Sequence, residues 1–104
     1  MIHQFDVFPN PVGSERSRRP YIVNVQHDHF GQGGKYVFAS LAMPNATKSI
    51  PGLNPILTIL DQQLLLLPND LFTLSDRQVA QLVANLEADR DRIIAALDLV
   101  FTGV

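Results

Sequence analysis

The chain has 104 residues, of which 46% are hydrophobic, a formal net charge of −2, and neither Cys nor Trp. A chain of this length predicts one globular domain over residues 1–104, because it buries roughly 60–70% of its unfolded surface without a disulfide or a structural metal. The lack of Cys excludes a disulfide framework, a zinc ribbon, a thiol nucleophile and an iron–sulfur cluster.

Polar–apolar alternation in the first segment and β-branched and aromatic residues in the next two predict strands in the first two thirds of the chain. The first strand covers residues 4–8 and ends before Pro9. The next two cover residues 21–26 and 35–41, which are rich in β-branched and aromatic side chains. The glycines of residues 30–34 permit a tight connection between them, so these two strands are predicted to form a hairpin.

The middle of the chain predicts a loop followed by a second hairpin. The segment Met43–Pro55 contains three prolines and a glycine, which makes it the best candidate for a mobile loop. Apolar runs at 56–60 and 63–67 flank Asp61-Gln62 and predict two paired strands, although four consecutive leucines are equally compatible with a helix. We expect Pro68-Asn69-Asp70 to end the second of these strands.

The last third of the chain has apolar residues at spacings of three and four, which predicts one long amphipathic helix. The apolar stripe comprises Val79, Leu82, Val83, Leu86, Ile93, Ile94, Leu97, Val100 and Phe101. Ser75 is the expected N-cap, Gln78 completes a capping box, and Leu74 with Val79 form a hydrophobic staple. Gly103 is placed to end the helix in the left-handed conformation.

This order of elements predicts an α+β fold, in which the C-terminal helix packs on a small antiparallel sheet or partly open barrel. The high apolar content for this size also favours a buried homodimer face. The N-terminal residues lack the basic start and apolar run of a secretory signal. The longest apolar run has four leucines, against about 20 residues needed to span a bilayer. We therefore expect a cytoplasmic protein that does not bind membranes.

Charge is distributed unevenly along the chain. Residues 1–52 carry five Lys or Arg and three Asp or Glu, whereas residues 53–104 carry three and seven. The most basic segment, residues 14–19, is too short for a nucleic-acid surface and is predicted to be a solvated loop. We expect the chain alone not to bind nucleic acid.

No catalytic constellation can be identified from the sequence. His27 and His29 have the i, i+2 spacing that lets two imidazoles of a strand meet one zinc ion, but no third ligand is indicated, and polar residues at a strand end are the simpler interpretation. The acidic residues of the last third alternate with Arg90 and Arg92, as on a solvated helix face. We predict no metal, no cofactor and no enzymatic activity; a small metal-dependent enzyme using the two histidines is the least favoured alternative.

Four segments, in chain order, resemble the CcdB family of plasmid and chromosomal toxins. Residues 93–104 (IIAALDLVFTGV) are similar to that family's final helix, which runs to a Phe-x-Gly-aliphatic chain end. Residues 4–7 (QFDV) resemble its opening strand, residues 23–28 (VNVQHD) its V-D-V-Q-S-D strand, and residues 53–57 (LNPIL) its L-Y-P-V-V. The resemblance therefore covers nearly the whole chain.

The resemblance implies a single CcdB-like toxin domain that forms a homodimer. Its fold would be an SH3-like, partly open antiparallel barrel with a small additional sheet and a C-terminal helix. It also implies the toxin of a type II toxin–antitoxin module, which binds the A subunit of DNA gyrase and traps the enzyme on cleaved DNA. A partly disordered CcdA-type antitoxin would neutralise it, and the toxin–antitoxin complex would bind operator DNA and repress their operon.

The family's gyrase-contacting residues match this chain only in part. Its terminal Trp-Gly-Ile corresponds to Thr102-Gly103-Val104. In the family, the two tryptophans of the dimer grip a gyrase arginine, a cation–π contact worth about 0.5–2 kcal/mol per ring. The absence of both rings predicts a loss of roughly 1–4 kcal/mol, or about 5- to 700-fold in affinity.

The contact would then be rebuilt from neighbouring positions. Two histidines replace a Ser and an Ile of the family after the V-Q pair, and an aspartate replaces its helix asparagine. The candidate gyrase-binding residues are Phe101, Thr102, Gly103, Val104, Asp98, His27 and His29. For the antitoxin, the segment 43–55 and the helix face are the candidate contacts. The missing Trp also supports an alternative, in which the protein has lost gyrase poisoning and acts as an antitoxin-binding co-repressor or decoy.

Overall fold

The computed structural model describes residues 2–30 and 33–103, and over these residues it contains six β-strands followed by one α-helix. The elements are β1 (Asp6–Pro9), β2 (Tyr21–Asn24), β3 (Lys35–Ala42), β4 (Ile56–Ile59), β5 (Gln62–Ser75), β6 (Ala84–Asn85) and α1 (Arg90–Thr102). Short 3₁₀ turns lie at Gly13–Glu15, Asp28–Phe30, Asp76–Gln78 and Glu87–Asp89.

The strands form one antiparallel sheet in the order β4-β5-β3-β2-β1-β6, which curls into a nearly closed barrel with α1 packed against β5. This confirms the predicted α+β, SH3-like fold and both predicted hairpins. The smaller sheet is a continuation of this one: residues 35–37 of β3 pair with residues 73–75 of β5 beyond the end of β2.

Both hairpin connections, β2–β3 and β4–β5, contain residues with positive φ. In the β2–β3 connection Gly34 has a φ of 70°, as expected, whereas Gly31 and Gln32 lie outside the described residues. The β4–β5 hairpin turns through Leu60 and Asp61, which have φ values of 49° and 65°, one residue earlier than predicted. Because both φ values are positive, Leu60 and Asp61 match the type I′ turn of two-residue hairpins. Residues 43–55 form the predicted loop, and their mobility stays a prediction.

The prediction that Pro68-Asn69-Asp70 ends a strand is wrong, because β5 continues to Ser75. Adjacent β3 residues Ala39 and Ser40 pair with Leu71 and Leu67, so residues 68–70 have no direct partner on β3. Such a bulge accommodates a proline, whose missing N–H would otherwise leave a gap in the ladder. It also redirects the side chains that follow.

Alternation along the strands buries an apolar cluster on each face of the sheet. The main cluster, which α1 covers, comprises Phe5, Val7, Val23, Ala39, Leu41, Leu57, Ile59, Leu64, Leu66, Leu86, Ile93 and Ala96. The second comprises Ile2, Phe8, Ile22, Tyr36 and Phe38, with Phe72, Leu74 and Val79 packed against it.

The prediction of a long helix from Ser75 is wrong for the first half of that segment, because α1 begins at Arg90. The capping box forms, with the Ser75 N–H donating to Gln78 Oε1 at 2.9 Å, but it begins a single 3₁₀ turn. Val79 packs on one apolar cluster and Leu86 on the other, so the chain must cross the edge of the sheet between them. It does so as β6 and adjoining residues, with the Leu86 N–H donating to the Phe5 carbonyl oxygen at 2.9 Å.

Candidate protein-interaction site

The C-terminal end of α1 carries four of the predicted site residues. Ile93 and Ala96 are buried against the barrel and fix the helix, while Phe101 near its end is 68% exposed. The Thr102 hydroxyl donates to the Asp98 carbonyl oxygen at 2.6 Å. The helix end is thus a fixed support that presents an aromatic ring to solvent.

Gly103 ends the helix as the sequence predicts. Its φ is 78° and its N–H donates to the Leu99 carbonyl oxygen at 3.0 Å, which is the left-handed cap that a residue with a Cβ adopts at a cost. The Asp98 side chain is exposed on the last turns of the helix. Val104, the remaining predicted residue of this group, lies outside the described residues.

His27 and His29 lie together on an exposed turn after β2. The His29 N–H donates to His27 Nδ1 at 3.1 Å, and the two rings meet edge-on with centroids 4.6 Å apart. Phe30 follows with its ring centroid 6.2 Å from that of His27 and is 74% exposed. The turn therefore presents two imidazoles and a phenyl ring side by side.

Asp28 anchors this turn to the N-terminal segment. Its carboxylate accepts hydrogen bonds from the Gln4 N–H at 2.7 Å and from His3 Nδ1 at 3.4 Å. The Gln4 N–H holds the pKa of Asp28 below its ordinary value, with smaller contributions in the same direction from His3 and His27. Gln4 also accepts from Arg90 Nη1 at 3.1 Å, which places the turn beside the first residue of α1.

The structure separates the predicted site residues of one chain into two groups. Asp98, Phe101, Thr102 and Gly103 lie at the end of α1, whereas His27 and His29 lie near its start. At 1.5 Å per residue, these two ends of α1 are about 18 Å apart. One chain therefore offers two small surfaces rather than one.

Neither surface has the geometry of a metal centre. Within residues 2–30 and 33–103, no three His, Asp or Glu side chains converge to hold a metal ion. Over the same residues, no helix is long and apolar enough to cross a bilayer.

Sequence reasoning missed a third feature, a pair of neighbouring clefts about 350 and 480 Å³ in volume that share Arg19 and Asp70 in their walls. The Arg19 guanidinium lies between two carboxylates, with Nη1 2.8 Å from Glu15 Oε1 and Nε 3.3 Å from Asp70 Oδ2. The sequence signal that could have revealed these clefts was Pro68-Asn69-Asp70. It was interpreted as a strand end, whereas it is the bulge that places Asp70 beside Arg19.

Comparison with known proteins agrees with the geometry of the fold. A family model described as "CcdB protein" matches residues 4–103. No curated protein matches the chain. The structure is similar to an endoribonuclease solved in complex with its cognate antitoxin from a mycobacterial species, with a TM-score of 0.75 and 13% identity over 94% of this chain and 92% of that one. It is also similar to a chain of MazE-MazF (Form-II) from Deinococcus radiodurans, with a TM-score of 0.63 and 14% identity over 98% and 95% of the two chains.

Proposed function

This chain belongs to the CcdB family, and from that membership we propose that it is the toxin of a type II toxin–antitoxin module, which binds the DNA gyrase A subunit and traps the cleaved DNA–gyrase complex. It acts in the cytoplasm as a homodimer, without a cofactor and without enzymatic activity of its own. A CcdA-type antitoxin neutralises it, and operator DNA is bound only by the toxin–antitoxin complex.

The observation that carries this proposal is the exposed, rigid end of α1. The Phe101 ring is 68% exposed at the end of a helix whose Ile93 and Ala96 are fully buried. Aromatic side chains on rigid supports are typical hot spots, because little conformational entropy is lost when they are buried by a partner. Phe101 therefore supplies the apolar anchor of the gyrase contact.

The other candidate residues have distinct roles in this contact. The Asp98 carboxylate is exposed and suits an arginine of the partner, since such pairs form charge-assisted hydrogen bonds. Gly103 holds the left-handed turn that ends α1. Val104, which follows it in the sequence, is a further candidate contact. His27 and His29 of the same chain are too far from this end, so we assign them to the contact made through the second protomer of the dimer.

The proposal is tested with supercoiled plasmid, purified gyrase and ATP, by measuring the linear DNA that detergent and protease release. We expect the wild-type chain to release linear DNA. The amount released should be strongly reduced for Phe101→Ala. Leu60→Ala is the matched control, because Leu60 is also 68% exposed but lies on the β4–β5 turn. A folded dimer that releases no linear DNA with gyrases from several bacteria contradicts the proposal.

The second candidate function is that of an antitoxin-binding co-repressor or decoy without gyrase poisoning. Thr102 favours it, because its hydroxyl is bonded to the helix and cannot replace the ring that grips a gyrase arginine in the family. It predicts operator binding and antitoxin binding with no linear DNA. A gel-shift assay with the antitoxin, run beside the gyrase assay, distinguishes the two candidates.

A further inference from the structure

One side-chain contact recurs in the loops and turns of this chain. The side-chain oxygens of Asn10, Asn24 and Asn85 each accept a hydrogen bond from the backbone N–H two residues later, at 2.9, 3.1 and 2.8 Å. Such a contact fixes the local backbone of a turn. Because a side-chain amide does not ionise near neutral pH, these three contacts do not depend on pH while the chain is folded.

His27 makes the same contact with an imidazole. The N–H of His29, two residues later, donates to His27 Nδ1 at 3.1 Å. Nδ1 must therefore be unprotonated, with the proton of the neutral ring on Nε2. A protonated imidazole carries a hydrogen on both nitrogens and has no acceptor left. Of these four similar contacts, the one at His27 is thus broken by a proton.

The base of the same turn is tied to the fold by other groups. The Asp28 carboxylate accepts the Gln4 N–H at 2.7 Å and lies 3.4 Å from His3 Nδ1. Protonation of His3 strengthens this tie, because the hydrogen bond to the carboxylate becomes charge-assisted on both sides. On the other side of the turn, Gln26 Nε2 donates to the Phe30 carbonyl oxygen at 2.6 Å. Mild acid therefore leaves the base of the turn in place.

A protonated His27 ring has a different partner within reach of its charge. Asp28 follows it in the chain and stays ionised in mild acid, because the Gln4 N–H holds the pKa of this carboxyl below its ordinary value. The ring of His29, with its centroid 4.6 Å away, gains positive charge over the same range, since imidazoles titrate between about pH 8 and pH 5. Attraction by Asp28 and repulsion by His29 both favour movement of the ring away from the His29 N–H.

The other charged groups around the turn do not reverse this preference. They lie on the elements that the turn contacts: His3 on the N-terminal segment, Lys35 on β3 and Arg90 on α1. Lys35 and Arg90 keep their charge throughout the range in which imidazoles titrate, so their effect is constant. The charge that His3 gains is opposed by the Asp28 carboxylate beside it. The pH-dependent part of the balance therefore lies in the three histidines.

We propose that His27 is a pH-sensitive switch for the turn 27–30. Its neutral imidazole holds the shape that the structure shows, with the His29 N–H bonded to Nδ1 and the Phe30 ring centroid 6.2 Å from that of His27. A proton breaks the bond, turns the ring toward Asp28 and separates the aromatic rings, while the turn gains positive charge. In the proposed gyrase contact the turn is then no longer preorganised, so the affinity falls in mild acid. This consequence for binding rests on the function proposed above.

The test compares the wild type with His27→Asn by NMR at about pH 8 and about pH 5.5, on either side of the imidazole range. An asparagine accepts the N–H two residues later, as Asn10, Asn24 and Asn85 do, but does not titrate. Exchange of the His29 amide hydrogen with water should be equal in the two proteins at the higher pH. At the lower pH it should be about fivefold faster in the wild type, because a hydrogen bond of ordinary strength is lost.

His3→Asn is the matched control, since it removes another imidazole of the group and leaves the His27 contact intact. Its His29 amide should behave as in the wild type. The side chains of His3 and His27 are both exposed, so folding is retained. Equal exchange of the His29 amide in the wild type and His27→Asn at both pH values overturns the inference. Loss of the pH dependence in His3→Asn overturns it as well.

Binding to purified gyrase A subunit, measured at both pH values, separates the switch from the proposed function. The ratio of wild-type to His27→Asn affinity removes the pH dependence of gyrase itself, and it should fall by about fivefold from the higher to the lower pH. Gyrase binding with an unchanged ratio contradicts the switch alone. A His29 amide that responds to pH as expected, in a chain that does not bind gyrase at either pH, contradicts the gyrase contact alone.

Discussion

Replacing Thr102 with Trp tests the proposed gyrase contact at the end of α1. Thr102 is exposed at the end of α1, so a larger side chain enters solvent and not the core. The change removes only the bond from the Thr102 hydroxyl to the Asp98 carbonyl oxygen. Such a bond back to the preceding turn contributes little to helix stability. We expect the variant to fold as the wild type does.

The gain in affinity follows from the two rings that a dimer would present. Each ring over a desolvated arginine is worth about 0.5–2 kcal/mol, so two rings strengthen the gyrase complex by roughly 1–4 kcal/mol. This corresponds to about 5- to 700-fold less toxin for the same effect. Phe101, the adjacent exposed ring, is unchanged and keeps its own contribution.

The assay is a titration of toxin against linear DNA release, with growth inhibition measured in parallel. Thr102→Leu is the control, because it also loses the hydroxyl and adds apolar volume but has no π face for an arginine. The expected order of potency is Trp first, with Leu and Thr similar. Unchanged or weaker growth inhibition by Thr102→Trp would refute the proposed contact at the end of α1.

Three further predictions concern stability. Leu60→Asn combined with Asp61→Gly suits the positive φ values of the β4–β5 turn and should stabilise the fold by about 1 kcal/mol, seen as a rise in Tm of roughly 4–8 °C; no rise would argue against the type I′ turn. Ile93→Ala should cost about 2–5 kcal/mol in urea unfolding, because Ile93 is fully buried, and a loss below about 1 kcal/mol would place α1 off the barrel. The Gln4 N–H lowers the folded-state pKa of Asp28, so the ionised Asp28 carboxylate stabilises the fold. This stabilisation is complete above the ordinary carboxyl pKa and is lost as the pH falls through the folded-state pKa. Unfolding measured against pH should show that loss in the wild type and not in Asp28→Asn.

The strands could be predicted from the sequence because their signals are local. The segment around Val7 alternates over a few residues, and those around Val23 and Phe38 are rich in β-branched and aromatic side chains. Both faces of the resulting sheet pack against apolar clusters. The conformation of Gly103 could be predicted too, because a glycine just after the last apolar turn of a helix indicates a left-handed residue with positive φ. These predictions were correct because one short stretch determines each of these conformations.

The first half of the predicted helix failed because its structure depends on distant residues. Val79 and Leu86 have helical spacing, yet Val79 packs beside Phe72 and Leu74 whereas Leu86 packs on the opposite face of the sheet. The pairing of β6 with β1 joins residues nearly 80 positions apart in the chain, as for Asp6 with Asn85. The spacing of apolar residues within 75–89 does not reveal this long-range pairing. Tertiary contacts therefore determined the structure there, against the local preference for a helix.

The two clefts that share Arg19 and Asp70 were missed for a related reason, because Asp70 belongs to a bulge that only the pairing of β5 with β3 reveals. Loop 43–55 lines the second of these clefts through Leu53, while the adjoining Ile56 carbonyl oxygen accepts a hydrogen bond from Arg92 on the first turn of α1. The loop therefore lies between the second cleft and the helix. From Arg92, a further ten residues, about 15 Å of helix, lead to the Thr102 position. A partner bound at that cleft alone leaves Phe101 exposed, so an antitoxin that blocks the proposed gyrase contact must reach the end of α1.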